Sequence, residues 1–167
     1  MNKQIALLSL VIGQLVLAGG LEVGDTAPDV TLLGVDAKGA PIVESVRTVE
    51  REPQSYTIIQ FLESGSPVSA LNVSALADLS VDIGIFVATR IVAVDKDVSD
   101  VKTFIKNNKS DIRFPVHFDD RQNAMRAFGV DTLPTLFVVK DETKVIYKVT
   151  GAITPEARQQ ILTATGF

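Results

Sequence analysis

The stretch from Thr57 to Ser69, Thr-Ile-Ile-Gln-Phe-Leu-Glu-Ser-Gly-Ser-Pro-Val-Ser, constrains what this chain can fold into more than any other. Thr57 to Leu62 is rich in β-branched and aromatic residues and is followed by Ser64-Gly65, so it reads as a buried strand meeting a turn. Ser66 is a helix N-cap type, and Pro67 suits the first helical position, where a missing N–H costs nothing. A strand that feeds through a tight loop into a helix places that loop at the carboxyl edge of a sheet, where α/β folds keep their chemistry.

The chain on either side agrees with an α/β class. Val30 to Leu33 and Pro41 to Val46 read as two strands around an Asp36 to Gly39 turn. Arg47 to Ser55 is a polar connection. After Ser66, the apolar residues Val68, Leu71, Ala75, Leu76 and Leu79 predict the buried stripe of a helix. Val81 to Thr89 fits either an extension of that helix or an irregular link, and Arg90 to Val94 is the next buried strand. Asp97 or Ser99 caps a second helix with Val101, Phe104 and Ile105 inward, ended by Asn107-Asn108-Lys109. Strand, crossover helix and strand make a parallel β-α-β unit. Phe114 to Asp120 is a short extended piece, after which Asp120 caps a helix holding Ala124, Met125 and Phe128, with Gly129 as its left-handed stop. Leu136 to Val139 and Val145 to Val149 form an antiparallel hairpin, and Thr154-Pro155 opens a last helix with Ile161 and Leu162 inward.

Composition narrows the function classes. With 167 residues, 46% of them hydrophobic, the chain supports one domain with a sizeable core. A net charge of −4 and the absence of any basic cluster in the sequence argue against nucleic acid as partner. With no cysteine and one histidine, thiolate metal sites, disulfides and a cysteine nucleophile are excluded; carboxylate-only metal binding stays open but has no recognisable loop, and no metal or other cofactor is expected. The acidic run Asp95 to Asp100 lacks the central glycine and distal glutamate of a calcium loop, so its aspartates read as helix-start and solvent-facing residues.

The start of the chain has the anatomy of a secretory signal: Lys3, an apolar run from Ile5 to Ala18, and small residues to Gly20. The expectation is a signal peptide over residues 1–20 and a domain over 21–167, exported to a bacterial periplasm. An uncleaved anchor is the alternative, and it would be the only membrane contact. Leu17-Ala18-Gly19 also resembles a lipoprotein box, but Gly20 stands where the lipidated cysteine would be.

Three phrases carry a family resemblance. Phe61 to Ser69 is similar to the Phe-Trp-x-x-Trp-Cys-Pro-x-Cys segment of thioredoxin-like exported reductases. Gly24-Asp-Thr-Ala-Pro28-Asp29 resembles the entry of TlpA-like and peroxiredoxin-like proteins. Phe128-Gly-Val-Asp-Thr-Leu-Pro-Thr135 resembles the loop that carries a cis-proline opposite the cysteine pair. The chain is thereby identified, from about residue 23 onward, as similar to TlpA/ResA-like, AhpC/TSA-related thiol-disulfide oxidoreductases. The resemblance implies a thioredoxin-like fold with a central mixed sheet flanked by helices and an N-terminal β-hairpin extension. It also places Ser66 and Ser69 at the two cysteine positions, with Gly65, Pro67, Leu133, Pro134 and Thr135 around a substrate groove.

In that family a thiolate at a helix N-terminus, acidified by unpaired N–H groups and the helix dipole, attacks a disulfide, and a second cysteine one turn on resolves the product. Serine oxygen forms no exchangeable bond with sulfur, so no catalytic residue of that chemistry is intact. The expected function is a redox-inactive protein of oxidoreductase ancestry. The alternatives are a binding module whose groove holds an extended or unfolded protein segment by backbone pairing, and a peroxiredoxin-like protein, which equally lacks its thiol. A hydrolase pair of Ser66 and His117 would need the two within hydrogen-bond reach. His117 reads instead as an edge-strand or surface histidine, and Glu63 as an exposed loop carboxylate.

Overall fold

The computed structural model describes residues 20–46, 56–84 and 87–167. The signal segment through residue 19 and the whole 47–55 connection fall outside them. Eleven elements follow in chain order: β1 (Thr31–Val35), β2 (Pro41–Ser45), β3 (Tyr56–Leu62), α1 (Pro67–Ile83), β4 (Val87–Ala93), α2 (Val98–Asn107), β5 (Val116–Phe118), α3 (Asn123–Ala127), β6 (Thr135–Lys140), β7 (Lys144–Thr150) and α4 (Pro155–Thr165). The strands form one mixed sheet in the order β2-β1-β5-β4-β3-β6-β7. β3 lies inside it, parallel to β4 and antiparallel to β6, and the N-terminal hairpin joins through β1 antiparallel to β5.

β3 is buried on both faces, so its side chains feed two cores. Ile58 and Leu62 pack with Val73, Leu76 and Leu79 of α1, Phe104 of α2 and Ile161 of α4. Ile59 and Phe61 point the other way, as strand alternation requires, onto Ala124 and Phe128 at α3 and Phe137 and Val139 of β6. Phe61, Phe128 and Phe137 make a ring cluster with centroids 5.1, 5.6 and 6.1 Å apart, each pair contributing about 0.5–1.5 kcal/mol beyond its burial. That cluster fixes the end of β3 from which the Glu63–Ser66 loop departs.

Several local expectations are corrected. Ser66 occupies the N-cap position of α1 with Pro67 inside it, but its side chain makes no cap hydrogen bond. The buried face of α1 is rotated from the apolar stripe: Ser69, Asn72, Val73, Leu76 and Ala77 face inward, while Leu71 is 66% exposed. Polar residues take the inner face there because Asn72 has partners in the β7–α4 connection. α1 ends at Ile83, with Gly84 at φ 64°, and β4 begins at Val87 and stops at Ala93, earlier at both ends than the apolar run Arg90 to Val94 suggested. Asp97 is the cap of α2, its side chain accepting from the Ser99 N–H.

The carboxylate at the start of α3 is Asp119 rather than Asp120. Asp119 is buried and accepts from the N–H groups of Ala124 and Met125 at 3.2 and 2.8 Å, while Asp120 is exposed. His117 is neither at an edge nor on the surface: β5 lies between β1 and β4, and the ring is fully buried. Gly34 faces it across the β1–β5 register, where a Cβ would meet the Val116 carbonyl oxygen at 2.5 Å, so only glycine lets the hairpin dock this closely.

Candidate functional site

The carboxyl ends of β3 and β4 and the start of β6 share one edge of the sheet. Phe61 is in register with Thr135 of β6, so the loop leaving β3 and the Leu133–Pro134 loop entering β6 emerge side by side. The Leu133–Pro134 peptide bond is cis. Pro134 and Thr135 are buried, Leu133 is half-buried, and Gly65 and Pro67 are exposed.

The loop carrying Ser64 to Ser66 is held from β4. The Ser64 N–H lies 3.1 Å from both Asp95 oxygens, and the Ser64 hydroxyl donates to Oδ1 at 2.6 Å. Asp95 is therefore half-buried and positions the loop, which corrects its reading as a solvent-facing helix-start residue. Within the turn, the Ser66 N–H donates to the Glu63 carbonyl at 3.2 Å and the Ser69 N–H to the Ser66 carbonyl at 3.0 Å. Val94 N–H donates to the Leu62 carbonyl at 3.0 Å and extends the β3–β4 pairing up to this loop.

A second tie joins the helix of Ser66 and Ser69 to the proline loop. Asn72 Nδ2 donates to the Gly151 carbonyl at 2.9 Å, and the Gly151 N–H donates to the Pro134 carbonyl at 2.8 Å. Asn72 Oδ1 accepts from the Ile153 N–H at 2.9 Å, which fixes the amide's orientation. On the Pro134 side, Thr135 Oγ1 donates to the Thr132 carbonyl at 2.7 Å. One residue, Gly151, thus connects α1 to β6 across the site. Sequence reasoning missed Asn72 because an asparagine inside a helix carries no motif; its disruption of the apolar stripe was the available signal.

The two serines occupy different environments. Ser66 is half-buried at the helix start and lines a cleft of about 580 Å³ that runs from Glu63 past Pro67 to Asp100, Thr103 and Asn107 of α2. Gly65 and Pro67 line the same cleft; Leu133, Pro134 and Thr135 do not, so the hollow opens toward α2 rather than toward the proline loop. Glu63 is exposed at its mouth. Ser69 is fully buried, and its hydroxyl has no hydrogen-bond partner among the described residues.

Among the described residues no side-chain base hydrogen-bonds to either serine. His117 Nδ1 lies 3.3 Å from the Ile91 carbonyl and Nε2 lies 3.2 Å from Glu44 Oε1, a carboxylate that also holds Arg90 Nη1 at 2.5 Å. Burial, and then the Arg90 cation, lower the His117 pKa to about 4, so the ring is neutral at neutral pH and donates Nδ1–H to Ile91. This cluster ties β2 to β4 and β5 and has no contact with Ser66. Among the described residues no group of His, Asp and Glu is arranged to hold a metal ion.

A sheet of this order, with a helix springing from the end of the interior strand β3 beside a proline-led strand, matches known proteins. The AhpC/TSA family model matches residues 23–148. The chain belongs to the AhpC/TSA family. Within it the chain is similar to the thiol-disulfide oxidoreductase ResA of Bacillus thuringiensis subsp. konkukian, 36% identical over 74 residues, 43% of this chain and 42% of that protein. ResA of Bacillus anthracis is 37% identical over 68 residues, 40% of this chain and 38% of its own length. The chain thus matches about two fifths of the length of these curated relatives.

Solved structures show the same thioredoxin-like fold. A putative thiol:disulfide interchange protein DsbE from Chlorobium tepidum superposes with a TM-score of 0.67 at 24% identity, over 87% of this chain and 99% of the other. StoA from Bacillus subtilis gives 0.63 at 21%, over 83% and 98%. A peroxiredoxin-like protein from Aquifex aeolicus gives 0.62 at 17%, over 87% and 88%. The chain is a TlpA/ResA-like AhpC/TSA protein that contains no cysteine.

Proposed function

We propose that this AhpC/TSA protein is an exported, periplasmic member of the thiol-disulfide oxidoreductase lineage that is redox-inactive in its serine form. The observation that carries this reading is Ser69, a fully buried hydroxyl without a partner one helical turn after Ser66. A buried polar group normally finds a hydrogen bond. A thiol behaves as a small, weakly bonding apolar group, so an unpartnered hydroxyl suits a place shaped for sulfur. The apolar run Ile5 to Ala18 supports export, and no helix among the described residues is long and apolar enough to cross a membrane. The purified protein should leave the rate of insulin reduction by dithiothreitol at that of buffer; acceleration would overturn the reading. Export is read from fractionation of the producing cell, and retention in the cytoplasm would contradict it.

A second reading adds binding without chemistry. Leu133 makes no backbone hydrogen bond among the described residues, beside the Ser66 loop and at the open edge of the sheet. A free backbone pair at such an edge suits β-strand-like pairing with an extended protein segment. Titrating the labelled protein with a reduced, alkylated, permanently unfolded polypeptide should move the amides of Gly65, Ser66, Leu133 and Thr135 together. Unmoved amides there, at saturating peptide, would sink this reading.

A further inference from the structure

A second hollow lies away from this edge, between the Asp36–Gly39 turn and α2, with a volume of about 270 Å³. Its floor is apolar: Val35 of β1, Val116 of β5, Ile105 of α2 and Ile112 beyond it. Its rim is cationic. Lys38 comes from the turn, and Lys102, Lys106 and Lys109 come from α2 and the residues after it. A step of four residues puts Lys102 and Lys106 on one side of α2, and Lys109 follows just past its end. This stripe corrects the expectation that the chain has no basic cluster, because the fourth lysine arrives only through the docking of the hairpin.

None of these four lysines forms an ion pair among the described residues. The one carboxylate lining the hollow is turned into its own loop: Asp36 Oδ1 accepts from the N–H groups of Lys38 and Ala40, each at 2.8 Å. Four lysines against one aspartate thus gather net positive charge around an apolar floor in a protein whose net charge is −4. The apolar surface also continues outward. Leu33 shares a face of β1 with Val35, Val43 is its register partner on β2, and the two are 64% and 68% exposed.

We propose that this hollow binds a single-chain anionic amphiphile, a fatty-acid-type carboxylate. Its head lies among Lys38, Lys102, Lys106 and Lys109, and its alkyl chain crosses Val35 and Ile105 toward Leu33 and Val43. The apolar floor gives a small hydrophilic anion nothing to hold beyond the rim. The volume, just under the ~300 Å³ at which small-molecule sites begin, admits one slender chain.

The test is a ¹⁵N-resolved titration of the whole protein with dodecanoate below its micelle concentration. Saturable shifts are expected at Ala37, Gly39, Ile105 and Ile112. Affinity should fall at least about tenfold in Lys102→Glu/Lys106→Glu, whose exposed sites leave the fold intact. Leu33→Ser should weaken dodecanoate more than octanoate, since only the longer chain reaches β1's exposed end. Inorganic phosphate and dodecyltrimethylammonium should produce no saturable shift. The proposal is overturned if dodecanoate gives none, if either control reproduces its shifts, or if the protein binds only phosphatidylglycerol vesicles.

Discussion

At the scale of single residues, Ser69 is the most informative side chain. A buried, unpartnered hydroxyl costs about 1–3 kcal/mol relative to a bonded one, and alanine removes the oxygen while leaving the helix unchanged. Ser69→Ala should therefore stabilise the protein by about 1 kcal/mol, read as a higher urea midpoint at unchanged slope. A loss of stability would mean that the hydroxyl has a partner after all. His117 acts through its environment. Its folded pKa of about 4 lies below the unfolded value near 6.5, so the unfolded chain takes up a proton first as pH falls. Stability should be unaffected by this group above pH ~6.5 and should decline by up to about 3 kcal/mol as pH drops toward 4. Urea midpoints of the parent and His117→Gln at pH 7 and pH 4.5 isolate it. A parent and variant with the same pH slope would contradict the assignment.

At the scale of elements, the site depends on how α1 is tied to the strands around it. Asn72 is the residue through which the helix reaches both Gly151 and Ile153. Asn72→Ala leaves a carbonyl and an N–H unpaired at once, so it should cost about 2–3 kcal/mol and speed amide exchange at Ile153. A cost near zero would show that the α1–β7 contact does not hold the two halves of the site. The same elements explain how far the sequence could be read. β3, the hairpin β6–β7 and the caps at Thr154 and Asp97 were legible because turn chemistry and periodicity are local. The burial of Asn72 in place of Leu71, the capping of α3 from Asp119, and the clamp of Asp95 on Ser64 were not. Each is decided by a partner distant in the chain or by which helix face meets the sheet, and neither is written in a window of ten residues.

At the scale of the whole molecule, the fold and the positions of Ser66 and Ser69 followed from three short phrases in the right order. The open side of the cleft did not: the hollow beside Ser66 faces α2, because Pro134 and Thr135, at the entry to β6, are packed inward. The basic rim around the second hollow was equally invisible, since Lys38 is far in sequence from α2 and meets it only once β1 pairs with β5. On the proposed function, this edge is one shaped for sulfur chemistry and furnished with oxygen. The measurement that bears on this most directly is the thiol-disulfide equilibrium of Ser66→Cys/Ser69→Cys in glutathione buffers. The account predicts that the two thiols close reversibly into one intramolecular disulfide and that the dithiol form, regenerated by dithiothreitol, reduces insulin. A folded double variant whose thiols neither close nor exchange would contradict it.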